Sequence, residues 1–131
     1  MAVTFDELTK ALLDGVNFPV VATVSPDGAP HSSVVWAQRD SDTVLFATAR
    51  HQAKGCNLTN NPRISISLFN RDNPYQSVQI RGTTEFLDTD PERLINELAV
   101  KYTGEGQPPN NDGVDRVVVR VTPDKVTPFN G

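Results

Sequence analysis

Apolar positions change period several times along the chain, and each change marks an element. Phe5, Leu8, Leu12 and Val16 recur at helical spacing. They follow Thr4-Phe5-Asp6-Glu7, which reads as a capping box with Thr4 as the cap and Glu7 reaching back, and Gly15 or Asn17 supplies the stop. The apolar run 19–24 ends at Ser25-Pro26-Asp27-Gly28, where Pro suits the second turn position and Gly takes the positive φ that closes a hairpin. Strands predicted over 29–38 and 43–48, joined through the polar Arg39-Asp40-Ser41-Asp42, complete a meander whose short links favour antiparallel pairing. Residues 50–60 contain Ala53, Lys54 and Leu58 and no Pro, so they predict a short helix that Pro62 prevents from continuing.

Further on, Ile64, Ile66 and Leu68 alternate with Ser65, Ser67 and Phe69 in a fourth strand, followed by a loop at Arg71-Asp72-Asn73-Pro74. A long fifth strand is predicted over 76–87, with Gly82 marking a bulge or a close backbone approach. Asp90-Pro91 gives an N-cap and a Pro at the first helical position, and Leu94, Leu98 and Tyr102 line one face of a helix ending at Gly104. Residues 104–113 are turn formers throughout and are expected to form a mobile loop. A last strand over 114–121 leads into an irregular tail containing Pro123 and Pro128. With 16 Val, 4 Ile and 12 Thr, the chain leans toward a sheet. The fold predicted is a mainly β single domain over residues 1–131: a six-stranded antiparallel barrel, closed or partly closed, with two or three short helices.

Composition removes several functions. The single Cys56 excludes an intrachain disulfide scaffold, and His31, His51 and Cys56 have no metal-ligand spacing. The formal net charge of −4 argues against a nucleic-acid partner, where affinity comes from many phosphate contacts. No apolar run reaches the roughly 20 residues of a membrane span, and the first residues lack a signal pattern, so a soluble cytoplasmic domain is expected. The charge is uneven. Residues 1–42 and 72–131 each sum to −4, whereas 43–71 hold Arg50, Lys54, Arg63 and Arg71 and no acid. Such a stretch suits either an anion site or a basic face balanced by acids folded over it. Arg50 and Lys54, spaced i and i+4, would share one side of a helix starting near Arg50, whose N-terminal dipole favours a phosphate; an ordinary solvated helix face fits the same spacing. For Arg63, at a strand start, a structural salt bridge is the expectation.

Other candidates are weaker. Trp36 suits a floor for a flat aromatic ligand, though core packing is the commoner role of a strand Trp. Cys56 is expected to be a small buried residue, and His31 and His51 surface residues. Ser25, Ser32 and Ser33 lack a GxSxG context, and Asp88, Asp90 and Glu92 read as helix caps. No side-chain catalytic set emerges, so an enzyme of this sequence would rely on a bound cofactor.

Three blocks carry a family resemblance. They are the hairpin Val21 to Trp36, the block Ala47-Thr48-Ala49-Arg50 through Ala53-Lys54 and Asn57-Leu58 to Asn61-Pro62-Arg63, and Ile80-Arg81-Gly82-Thr83-Thr84-Glu85-Phe86. Over about residues 16 to 121 the chain resembles the pyridoxamine-phosphate-oxidase-like split β-barrels, in their actinobacterial flavin/deazaflavin oxidoreductase branch that uses coenzyme F420. The resemblance implies a homodimer with the cofactor at the subunit interface. It implies that Ser33, Val34, Val35 and Trp36 line the tricyclic ring, that Ala47 and Thr48 lie along the ribityl chain, and that Lys54, with Arg50 close by, binds the phosphate. Asn57 belongs to the same motif. Ser77 stands where flavin-binding relatives place a Gln from the partner chain, and Gln52 where some deazaflavin-binding relatives have Arg. The activity implied is hydride transfer from reduced F420 to a small conjugated organic acceptor. The alternatives are an FMN-dependent pyridoxamine-phosphate-oxidase-like enzyme and a non-enzymatic flavin or F420 carrier.

Overall fold

The computed structural model describes residues 3–110 and 112–131. Helix α1 (Glu7–Asp14) is capped by Asp6, whose carboxylate accepts from the Thr9 N–H; Thr4, the cap expected from sequence, lies outside it. Leu12 and Leu13 face the core. Strands β1 (Val20–Val24) and β2 (Pro30–Val34) form the first hairpin, closed by the Gly28 N–H donating to the Ser25 carbonyl at 2.8 Å. The single strand expected over 29–38 is broken: β2 stops at Val34, and β3 (Gln38–Asp40) pairs instead with β4 (Thr43–Ala49). This break raises the strand count from the six expected to seven.

Helix α2 (Ala53–Asn60) starts three residues later than the spacing of Arg50 and Lys54 required, because the chain turns at Arg50–Gln52 first. The Gln52 N–H donates back to the Ala49 carbonyl at 3.1 Å, which makes that turn. Strands β5 (Arg63–Asn70) and β6 (Asn73–Leu87) follow, so Asn73 and Pro74, expected in a loop, begin a strand. Helix α3 (Pro91–Thr103) has the predicted Asp90 cap, N1 Pro and left-handed Gly104 stop. The tail beyond Val121 is not irregular. β7 (Arg116–Asn130) pairs with β6 as far as Gln76 and Asn130, and its prolines sit at the outer end of a strand whose other partner, β4, reaches only Val121.

All seven strands form one antiparallel sheet in the order β2-β1-β5-β6-β7-β4-β3. Its two edge strands are consecutive in sequence, joined by residues 35–37. Four Cα steps reach at most about 14 Å, so the edges approach one another and the sheet curls into a split barrel. Val21, Phe46, Ile66, Ile80, Val119 and Val121 fill its interior with Leu12 and Leu13. Helix α3 covers part of the exterior, packing Leu94 and Leu98 on Val118, Leu45, Ala47 and Leu87. Among the described residues no helix covers the outer face of β2-β1-β5-β6, since α1 and α2 pack into the interior and α3 over β4 and β7.

Candidate functional site

Alternation along β2 sends neighbouring candidates to opposite faces. Ser33 points inward beside Val21, and its Oγ is buried without a partner; His31 Nδ1, one inward position earlier, is in the same state. Val35 is a core residue, whereas Val34 is 62% exposed on the outer face beside Val20. The four-residue ring-lining set is therefore divided between two surfaces. Trp36 leaves the strand and stacks on Tyr102 of α3, with centroids 5.2 Å apart and planes 8° from parallel. The Tyr102 hydroxyl donates to the Asn17 carbonyl at 2.7 Å and accepts from the Ala37 N–H at 3.3 Å. Lys101 Nζ donates to the Leu13 and Ala37 carbonyls, each at 2.7 Å. Burial lowers the Lys101 pKa and raises that of Tyr102. These two side chains fix the Trp36–Ala37 crossover. Sequence showed Tyr102 only as part of a helix face and gave no signal for Lys101, since a lysine in a last helical turn is an ordinary dipole partner.

The second part of the site surrounds the start of α2. Ala47 and Thr48 line a cleft of about 400 Å³ with His51, Gln52, Ile95 and Arg116, and Gln107 and Asn110 border it as well. The loop expected to be mobile over 104–113 is tied to α3 there: the Gln107 N–H donates to Asn96 Oδ1 and the Asn110 N–H to Glu92. Asn111, within that expected loop, lies outside the described residues. Thr48 Oγ1 is buried and unpartnered. Gly55 allows α2 to sit directly on the strand end, since a Cβ there would lie 2.4 Å from the Ala49 carbonyl oxygen.

Arg50 and Lys54 differ sharply. Arg50 pairs with Asp115 at 3.3 Å and lies over the Phe86 ring at 5.2 Å, so an acid from another segment balances it. Lys54, in the first turn of α2, has no carboxylate partner among the described residues, and half-burial lowers its pKa. That turn holds no acid, and Gln52 makes no side-chain cap. Its leading N–H groups and the Lys54 ammonium together provide positive potential that no carboxylate of the described residues pairs with. Unpartnered hydroxyls at Ser33 and Thr48 and a free ammonium at Lys54 suit a phosphorylated, polyhydroxylated ligand. Asn57 faces the other way, donating from Nδ2 to Thr23 Oγ1 at 3.0 Å and fastening α2 to β1. Cys56, expected to be buried, is exposed, because its position on α2 faces away from the barrel. Arg63 makes no ion pair among the described residues, contrary to the expected salt bridge.

Ser77 is not part of this group. It lies on the outer face of β6, directly between Phe69 of β5 and Phe129 of β7. Those neighbours leave it half-buried within one chain.

Comparison with known proteins decides the family. The profile of the pyridoxamine 5'-phosphate oxidase family matches residues 5–130. The chain belongs to that family. Its members are oxidoreductases that work with FMN or F420. Among solved structures, an F420 reductase superposes with a TM-score of 0.83 at 30% identity, covering 90% of this chain and 94% of that one. A conserved hypothetical protein from Mycobacterium tuberculosis gives 0.77 at 22% identity, over 98% and 86% of the two chains. General Stress Protein 26 from Bacillus anthracis gives 0.71 at 20%, over 94% and 92%. These last two establish the split-barrel fold alone. No curated protein sequence matches significantly. Among the described residues no group of His, Cys, Asp or Glu could hold a metal, and no helix is long and apolar enough to cross a membrane.

Proposed function

We propose that this family member is an F420-dependent reductase that passes a hydride to a small conjugated organic acceptor, acting as a homodimer with the cofactor at the subunit interface. The observation that carries it is the uncompensated positive turn at Lys54 in a chain 30% identical to an F420 reductase. When bound, the reduced deazaflavin supplies a two-electron donor that favours hydride transfer over one-electron chemistry. The chain's own residues bind and orient. Lys54 and the first-turn amides of α2 hold the phosphate, with Arg50 adding charge from beyond its pair with Asp115. Ala47 and Thr48 border the cleft beside the start of α2, where the polyol would lie, and Ser33 is a further unpartnered hydroxyl on the inner face of β2. Trp36, backed by Tyr102, gives a flat wall that keeps its orientation because α3 holds the crossover.

The homodimer draws its support from the uncovered outer face. Val34, Phe69 and Phe129 are 62%, 53% and 60% exposed there, with Val20 beside Val34. Ser77, half-buried between the two phenylalanines, lies on the face that a second copy would cover. A grouping of large apolar side chains on an exposed sheet face marks an interaction surface.

Trp36, the only Trp, reports the test. Titration with F420 is expected to quench its fluorescence saturably, and an enone panel with reduced F420 should yield turnover. Tight FMN binding without F420 binding overturns the proposal in favour of the FMN enzyme. Binding of F420 with no acceptor reduced points to the carrier.

A further inference from the structure

A cleft of about 520 Å³ lies on the outer face of the sheet, and Lys54 is not among its lining residues. That volume is within the usual range of about 300–1,000 Å³ for small-molecule sites. Its shape follows from side-chain size. Ala22 and Ser65, paired across β1 and β5, leave a trough, while Val24 and Pro30 wall one end and Arg63, Arg81 and Lys125 the other. Arg81 and Lys125 are direct cross-strand partners, and Arg63 is diagonal to Arg81. None of the three is in an ion pair or a side-chain hydrogen bond among the described residues. The one carboxylate in the cleft, Asp124, accepts from Thr83 Oγ1 at 2.9 Å.

Like charges directly opposite on a sheet are destabilising, so this arrangement is unfavourable in an empty groove. It is also not what regular pairing would produce. The β6–β7 register shifts between Arg81 and Gly82, leaving Asp124 as the extra residue, so that Asp124 and Lys125 are both exposed in succession. Without that bulge Lys125 would point to the other face; bulges re-aim side chains in this way. Gly82 holds the bulge, since a Cβ there would lie 2.6 Å from the Thr122 carbonyl oxygen.

We propose that this groove is a second ligand site, distinct from the one at Lys54, for a small organic anion: an apolar body on Ala22, Val24 and Pro30, with a phosphate or carboxylate held by Arg63, Arg81 and Lys125. It does not depend on the F420 reading, and its cationic row lies four residues along β6 from Ser77, beyond the Phe69 and Phe129 patch proposed as the dimer face. Calorimetric titration with 1-naphthyl phosphate tests it, with 1-naphthol and inorganic phosphate as the two halves of the probe. The expected result is a saturable event, tighter than either half gives and weakened by salt. Arg81→Gln/Lys125→Gln should weaken it at least tenfold, Arg63→Gln should weaken it less, and Lys54→Ala should leave it unchanged. The double variant is expected to melt no lower than wild type, since it removes a repulsion, so lost binding is separable from misfolding. No event that depends on Arg81 and Lys125, or an event lost only in Lys54→Ala, overturns the proposal.

Discussion

At the scale of single residues, neighbours in sequence have unlike tasks. Arg50 and Lys54 carry the same charge four positions apart, yet Asp115 takes one and no acid among the described residues takes the other. Lys54→Ala is therefore expected to weaken F420 binding by about 1.5–3 kcal/mol, the range for a hydrogen bond to a charged group. Arg50→Ala should cost less, and a titration of the two variants compares them. The lowered Lys54 pKa adds a pH signature. Affinity is expected to fall as pH rises through that lowered value, earlier than for an ordinary lysine, and Lys54→Arg should flatten the profile. Stability runs the other way. A lysine whose pKa drops on folding binds its proton more tightly when unfolded, so its contribution becomes more favourable as pH rises through the same window.

Elements are placed by contacts that a side-chain pattern reveals only in part. Asp6, not Thr4, caps α1, so Asp6→Ala is expected to cost about 1 kcal/mol and Thr4→Ala little, by urea unfolding. Both residues are acceptable cap types, and the backbone chose between them. Helix α2 depends on Gly55, where an added methyl would also lie 2.8 Å from the Arg50 carbonyl oxygen. Gly55→Ala should destabilise the fold by about 1–3 kcal/mol and, by shifting the first turn of α2, weaken F420 binding as well. Denaturation and titration of that variant check both effects; unchanged binding would detach the site from the helix start. The split of the expected strand 29–38 belongs to this scale too. Val35 turns into the core and Ala37 is clamped by Lys101 and Tyr102, which no local propensity records.

For the whole molecule, the open outer face is the feature to explain. Helix α3 covers one part of the exterior, over β4 and β7, and leaves Phe69 and Phe129 bare elsewhere on it. Phe69→Glu/Phe129→Glu is expected to convert a dimer to a monomer in light scattering, and to reduce F420 turnover if Ser77 serves the partner's site. A wild-type protein that is monomeric at micromolar concentration would remove the interface proposal.

Much was determined by sequence alone. Alternation in β5 and β6, the Asp90-Pro91 start of α3, Gly82 as a bulge or close backbone approach and the acid-free stretch around Lys54 are local patterns, and local patterns survive without knowledge of distant partners. Tertiary structure alone decided that β7 extends to Asn130, that Asp115 neutralises Arg50, that Tyr102 backs Trp36 and that Arg81 faces Lys125. Each of these joins residues far apart in the chain. Their meeting depends on sheet order and register, which the fold sets through burial of the whole core and which no short window of sequence contains.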